Sequence, residues 1–115
     1  PIFIDVEEPG TQNYAPRCCE IVCEGLKAAG YTPGIYASLS WFNSYLGSVR
    51  GKYVEWMARY KNLPEDTYNG QYAIWQYASD GQVDGVNGRV DVNHCYMEFG
   101  GSVQPVTPSV NGYCI

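Results

Sequence analysis

Asp5 and Glu7 are separated by a single residue at the end of an apolar run, Ile2-Phe3-Ile4-Asp5-Val6-Glu7, which is closed by Glu8-Pro9-Gly10. In an extended strand, residues i and i+2 project to the same face about 6.5–7 Å apart, so the two carboxyls point the same way. At the end of a buried strand, charge repulsion and desolvation raise the pKa of one member and leave a proton donor beside an ionised carboxylate. That combination suits acid-assisted cleavage of a glycosidic bond. A solvated strand end is the plainer account of the triplet taken alone. Asp91 adds weight to the chemical one: it lies between Val90 and Val92, where a carboxylate is costly unless it is paired or used.

Other candidates for chemistry carry less. Cys19 and Cys23 are four apart on a predicted helix and could meet His94 or Cys95 around a metal, but buried thiols are the default for such a pair. Five cysteines without a CxxC pair leave the redox compartment open. His94, the single histidine, has no nucleophile motif near it and defaults to a structural or exposed role. Asp80 and Asp84 lie in a Gly-rich stretch and read as turn formers.

The elements that must position these residues follow from periodicity. Residues 1–7 read as a buried strand, and the chain enters it directly from Pro1, with neither Met nor leader, so a preceding segment is expected. From about residue 13 to 29, Ile21, Val22, Gly25, Leu26 and Ala29 recur at helical spacing, and Gly30 supplies the stop. Residues 34–38 form a short strand, and Ser40 is the expected cap of a brief helix through Trp41, Tyr45 and Leu46. Residues 53–60, partly helical at their start, and 72–78 read as strands flanking a loop at 62–70. A loop at 79–88 then leads to a last strand at 89–93. Residues 98–115 have a Gly/Pro/Ser/Thr linker or tail composition, of the kind that often precedes a further module.

The order β-α-β-α-β-β-β predicts an α/β fold, part of an irregular TIM-like (β/α) barrel, over residues 1–97. With 115 residues and 45% hydrophobic content, the chain supports one core. A formal charge of −5 without any Lys/Arg cluster argues against a nucleic-acid partner, and no apolar stretch reaches the length of a membrane span. The aromatic set, 11 Tyr and 3 Trp against 3 Phe, favours rings with a polar handle, which suit carbohydrate surfaces as well as cores.

Four stretches together resemble the later part of the family 25 glycoside hydrolases, lysozymes that cleave peptidoglycan. They are residues 1–7 (PIFIDVE), 30–38 (GYTPGIYAS), 56–60 (WMARY) and 74–93 (IWQYASDGQVDGVNGRVDVN). The resemblance implies about the last five strands of a (β/α)5(β)3 barrel. It makes Glu7 the general acid for the β-1,4 bond between N-acetylmuramic acid and N-acetylglucosamine, with Asp5 and Asp91 in support, and it implies neither metal nor cofactor. The family carries a further aspartate on its first strand, which has no counterpart here, so activity of this chain alone is in doubt.

The resemblance also places Tyr36, Trp56, Tyr60, Trp75 and Gln76 on strands lining one mouth, as candidate sugar-binding residues. Trp75 and Gln76 are adjacent and fall on opposite strand faces, so at least one of them belongs to a core. The implied partner is the glycan of the bacterial cell wall, reached by a secreted or phage-encoded protein, with a downstream wall-binding module as a further expectation. A non-catalytic carbohydrate-binding module is the competing reading of the same aromatics.

Overall fold

A computed structural model describes residues 1–60 and 72–98. Its elements run β1 (Ile2–Asp5), α1 (Ala15–Ala28), β2 (Pro33–Ser38), α2 (Leu39–Ser44), β3 (Val54–Ala58), β4 (Ile74–Gly81) and β5 (Val90–Cys95). All five strands form one sheet in sequence order. The first four are parallel and β5 is antiparallel to β4. The described strands thus make an open mixed α/β sheet with β1 and β5 at its edges, and barrel closure is not seen among the described residues. The expected loop at 62–70 lies outside the described residues, as does all of the expected tail beyond Glu98.

One face of the sheet makes the core. Ile35, Ala37, Met57 and Trp75 alternate onto it and pack against Ala15, Cys19 and Cys23 of α1 and Phe42 of α2, with Leu46 and Val49 from the turn that follows. The buried stripe of α1 is therefore Ala15, Cys19 and Cys23, one turn apart each, rather than the branched aliphatics. Ile21 is 58% and Val22 39% exposed, a correction to the expected face. The physical reason is size: small Ala and Cys side chains let the helix lie close on the strands. Gly30, at φ +91°, ends the helical segment as expected, adopting a backbone conformation that other residues rarely take.

Smaller differences have local causes. The brief helix is capped by Ser38, whose hydroxyl accepts from the Trp41 backbone N–H at 3.2 Å, and Ser40 instead bonds Ser38 at 3.1 Å. Ser38 stands three residues before Trp41, the third residue of the helix, and its extended backbone fits the cap position. β3 has no helical start; residues 47–53 are turns and a bend. These turns are tied down by Glu55, which is 3% exposed and accepts from Arg50 Nε at 3.2 Å and from the Gly51 N–H at 3.0 Å. β4 runs on to Gly81, into the stretch read as loop, because register shifts let it keep pairing with β5.

Candidate active site

The second sheet face positions the polar and aromatic candidates. Register pairs Phe3 with Gly34, Asp5 with Tyr36, Tyr36 with Trp56, Trp56 with Ile74, and Gln76 with Asn93. Paired residues share a face, so Phe3, Asp5, Tyr36, Trp56, Gln76 and Asn93 all lie opposite the helices. Asp91 is two residues from Asn93 along β5 and falls on the same side.

Aromatic packing builds a wall there. The Trp56 ring meets Phe3 edge-on at 5.3 Å and Tyr36 edge-on at 5.1 Å between centroids. Gly34 leaves room for the Phe3 ring, into which any side chain at that position would collide. The Trp56 indole N–H donates to Asn93 Oδ1 at 2.7 Å.

Hydrogen bonding fixes the centre. Gln76 is buried, and its Oε1 accepts from the Tyr36 hydroxyl at 2.8 Å and also from the Tyr60 hydroxyl. Tyr60 follows β3 and is 55% exposed. Burial, then the adjoining Tyr60 hydroxyl and the charges of Glu7 and Asp5, push the Tyr36 phenol well above its ordinary range. Tyr36 is thus the residue at which the carboxyl pair and the hydrogen-bonded cluster meet.

Glu7 lies just past β1, where Val6 still pairs through its N–H with the Tyr36 carbonyl at 2.9 Å. Partial burial, then Asp5, then Glu8, raise its carboxyl above the ordinary carboxylate range. Beside it, a cleft of about 160 Å³ runs between β1 and the start of α1. Ile4, Val6, Tyr14, Ala15 and Cys18 give it apolar walls, with Asp5, Glu7, Glu8 and Thr11 also lining it, and Glu7 itself stays exposed to solvent. A carboxyl whose protonated form is favoured in this way, beside a second carboxyl, can donate a proton to a leaving oxygen.

The candidates do not all converge. Asp5, Glu7, Tyr36, Tyr60 and Gln76 form one neighbourhood, and Trp56 joins it through Tyr36. Asp91 is exposed on β5, the edge strand farthest from β1, two residues before the Asn93 that accepts from Trp56. Trp75 leaves the set: it is 1% exposed, belongs to the helix-side core, and spends its indole N–H on the Arg59 carbonyl at 3.0 Å. His94 lies on that same side, stacked on Tyr77 at 4.5 Å. Cys19 and Cys23 are fully buried core residues, the latter's thiol directed at the Gly34 carbonyl at 3.9 Å. Asn93 is the residue that sequence reasoning passed over; its position two residues after Asp91 on the same strand was the available signal.

The family model for Glycosyl hydrolases family 25 matches residues 1–86, a span that includes Asp5, Glu7, Tyr36, Trp56, Tyr60 and Gln76 and ends before Asp91. Uncharacterized protein YegX of Escherichia coli (strain K12) is 30% identical over 115 residues, covering 97% of this chain and 41% of the relative. The chain therefore spans about two fifths of the length of the curated relatives it matches. Among solved structures, a family 25 glycosyl hydrolase from Bacillus anthracis superposes with TM-score 0.62 at 22% identity, over 85% of this chain and 50% of that one. The bacterial lysozyme from Streptomyces coelicolor gives TM-score 0.61 at 23% identity, over 81% and 48%. The catalytic domain of endolysin ply40 from bacteriophage P40 of Listeria monocytogenes gives 0.55 at 25% identity, over 81% and 48%. The crystal-structure likenesses share this fold, and the family match spans most of the sequence: the chain belongs to glycosyl hydrolase family 25.

Proposed function

We propose that this chain contributes the acid-bearing part of a peptidoglycan-cleaving site that hydrolyses the β-1,4 bond between N-acetylmuramic acid and N-acetylglucosamine. The observation that carries the reading is Glu7: a carboxyl raised by partial burial and by Asp5, close enough to Tyr36 for its charge to act on that phenol. In this reading Glu7 protonates the glycosidic oxygen, and Asp5 and Asp91 support the positive charge that develops at the sugar or orient its N-acetyl group. Trp56, Tyr36 and Tyr60 present rings and hydroxyls to the glycan, as amphipathic aromatics do at sugar sites. The sheet serves as one side of a (β/α) barrel in the full-length polypeptide, and residues 98–115 lead toward a wall-binding module. Solved neighbours described as a lysozyme and an endolysin support a wall-acting protein, secreted or phage-encoded.

A second reading has one observation in its favour. Asp91 sits on the edge strand opposite to β1, as a glycan-binding module without catalysis would tolerate. The experiment is digestion of purified peptidoglycan by the 115-residue chain and by a polypeptide extended to the length of its relatives. Release of fragments with N-acetylmuramic acid at the reducing end supports cleavage of the proposed bond. Retention of the protein on the wall without new reducing ends in either form supports the binding module.

A further inference from the structure

Gln76 occupies an unusual place for a site amide. It is 3% exposed, so a ligand on this face of the sheet has little direct access to it, and its amide is bonded to two phenols instead. Its carbonyl oxygen has two lone pairs, and both are taken: one by the Tyr36 hydroxyl and one by the Tyr60 hydroxyl. The two tyrosines come from different strand ends, β2 and the residue stretch after β3, while Gln76 comes from β4 between them and β5. One buried oxygen therefore sets the torsion of two hydroxyls that would otherwise rotate freely.

We propose that Gln76 is a positioning residue whose carbonyl draws the Tyr36 and Tyr60 protons inward. Both phenol oxygens then face the mouth as hydrogen-bond acceptors, which select N–H and O–H donors of the ligand. A phenol ordinarily offers either polarity, and a site with rotating hydroxyls does not discriminate between donor and acceptor groups on a sugar. With the protons committed to Gln76, a ligand acceptor placed against Tyr36 or Tyr60 meets only lone pairs. Burial also favours the protonated, donating form of the Tyr36 phenol. The choice of ligand rests on the glycan reading above; the hold of Gln76 on the hydroxyls does not.

The test uses the 115-residue chain and the variants Gln76→Met, which keeps the volume and loses the carbonyl, and Gln76→Glu, which keeps an acceptor at the same reach. Proton NMR in water reads the hold directly. The wild type is expected to show slowly exchanging hydroxyl resonances from Tyr36 and Tyr60, absent in Gln76→Met and present in Gln76→Glu. Calorimetric binding of tetra-N-acetylchitotetraose reads the consequence: about tenfold weaker for Gln76→Met and within about threefold of wild type for Gln76→Glu, the scale of one hydrogen bond. Hydroxyl resonances that survive in Gln76→Met, or wild-type binding by that variant after they are lost, overturn the inference. A wild type that ignores the probe both as the 115-residue chain and as the polypeptide extended to the length of its relatives overturns the glycan reading, while the resonances still decide whether Gln76 holds the two protons.

Discussion

The Trp56 indole N–H donates to Asn93 Oδ1 at 2.7 Å, joining β3 to β5 across the strand that separates them. An indole nitrogen only donates, so this bond fixes the Asn93 amide with its oxygen toward Trp56 and its Nδ2 away. That Nδ2 is buried without a partner among the described residues. Trp56 in turn stands edge-on to Phe3 and Tyr36, so the orientation of one buried amide propagates to the aromatic wall beside the carboxyl pair.

Replacing Asn93 tests that chain of contacts. Asn93→Ala leaves the Trp56 N–H without its acceptor in a half-buried site, at a cost of about 1–3 kcal/mol. The expected result is a lower unfolding midpoint in denaturant together with a displaced Trp56 indole N–H resonance. An unmoved resonance would show that Trp56 is held by ring packing instead.

Glu7 makes stability depend on pH with a definite sign. Its carboxyl is raised from 4.5 in the folded chain, so the folded state holds the proton more tightly than the unfolded one. The associated stability is fully present below the unfolded value and is lost as pH rises through the folded value, where the charged carboxylate is left partly desolvated beside Asp5 and Glu8. Glu7→Gln removes that cost. Its melting temperature should match the wild type near pH 3 and equal or exceed it near pH 7; a variant that melts lower only at neutral pH would contradict the direction of the shift.

Reading the sequence for fold recovered the element order, and physical reasons separate what was legible from what was not. Alternation exposed the strands, and Gly30 gave the end of α1, because period and backbone permission are written locally. The buried stripe of α1 was missed since Ala15, Cys19 and Cys23 are small, whereas Ile21 and Val22 look like core by hydropathy alone. Within the site, β1 is a partly exposed edge strand that ends at Asp5, and Glu7 follows it, so the Asp5–Glu7 triplet was readable, but not as one face of a buried strand. The Gln76 cluster was not, because Tyr36, Tyr60 and Gln76 meet only through the pairing of β2, β3 and β4, a relation no local pattern records.

The turn before β3 makes a stability prediction apart from the site. Arg50 and Glu55 form an ion pair with side chains 16% and 3% exposed, and Arg50 also bonds Asn43 Oδ1 at 2.5 Å and lies over the Phe42 ring at 5.2 Å. Glu55→Gln leaves the largely buried guanidinium without its countercharge, at a cost of about 3 kcal/mol. Denaturant unfolding of Glu55→Gln, Arg50→Met and the double variant should show that the double variant loses less than the sum of the singles. Additive losses would mean the two residues act independently.

Cysteine reactivity separates the two sides of α1. Burial, then the neighbouring Cys23 and Cys18 thiols, push Cys19 up to about 11, and burial likewise raises Cys23. Few thiolates are therefore present at mildly alkaline pH, and neither residue is solvent-accessible. Brief iodoacetamide treatment of the folded chain, followed by peptide mapping, should label the exposed Cys18 and Cys95 and spare Cys19 and Cys23 until denaturant is added. Early labelling of Cys19 would place α1 differently on the sheet.

The account stands on Glu7 as the proton donor. The most direct measurement is the rate at which reducing ends appear in purified peptidoglycan, taken across pH for the wild type and Glu7→Gln in whichever form, the 115-residue chain or its extended counterpart, cleaves the wall. The prediction is a wild-type rate that falls as pH rises above the raised Glu7 value, and a loss of about a hundred- to ten-thousand-fold in Glu7→Gln. A Glu7→Gln protein that cleaves at the wild-type rate with the same pH profile would contradict it.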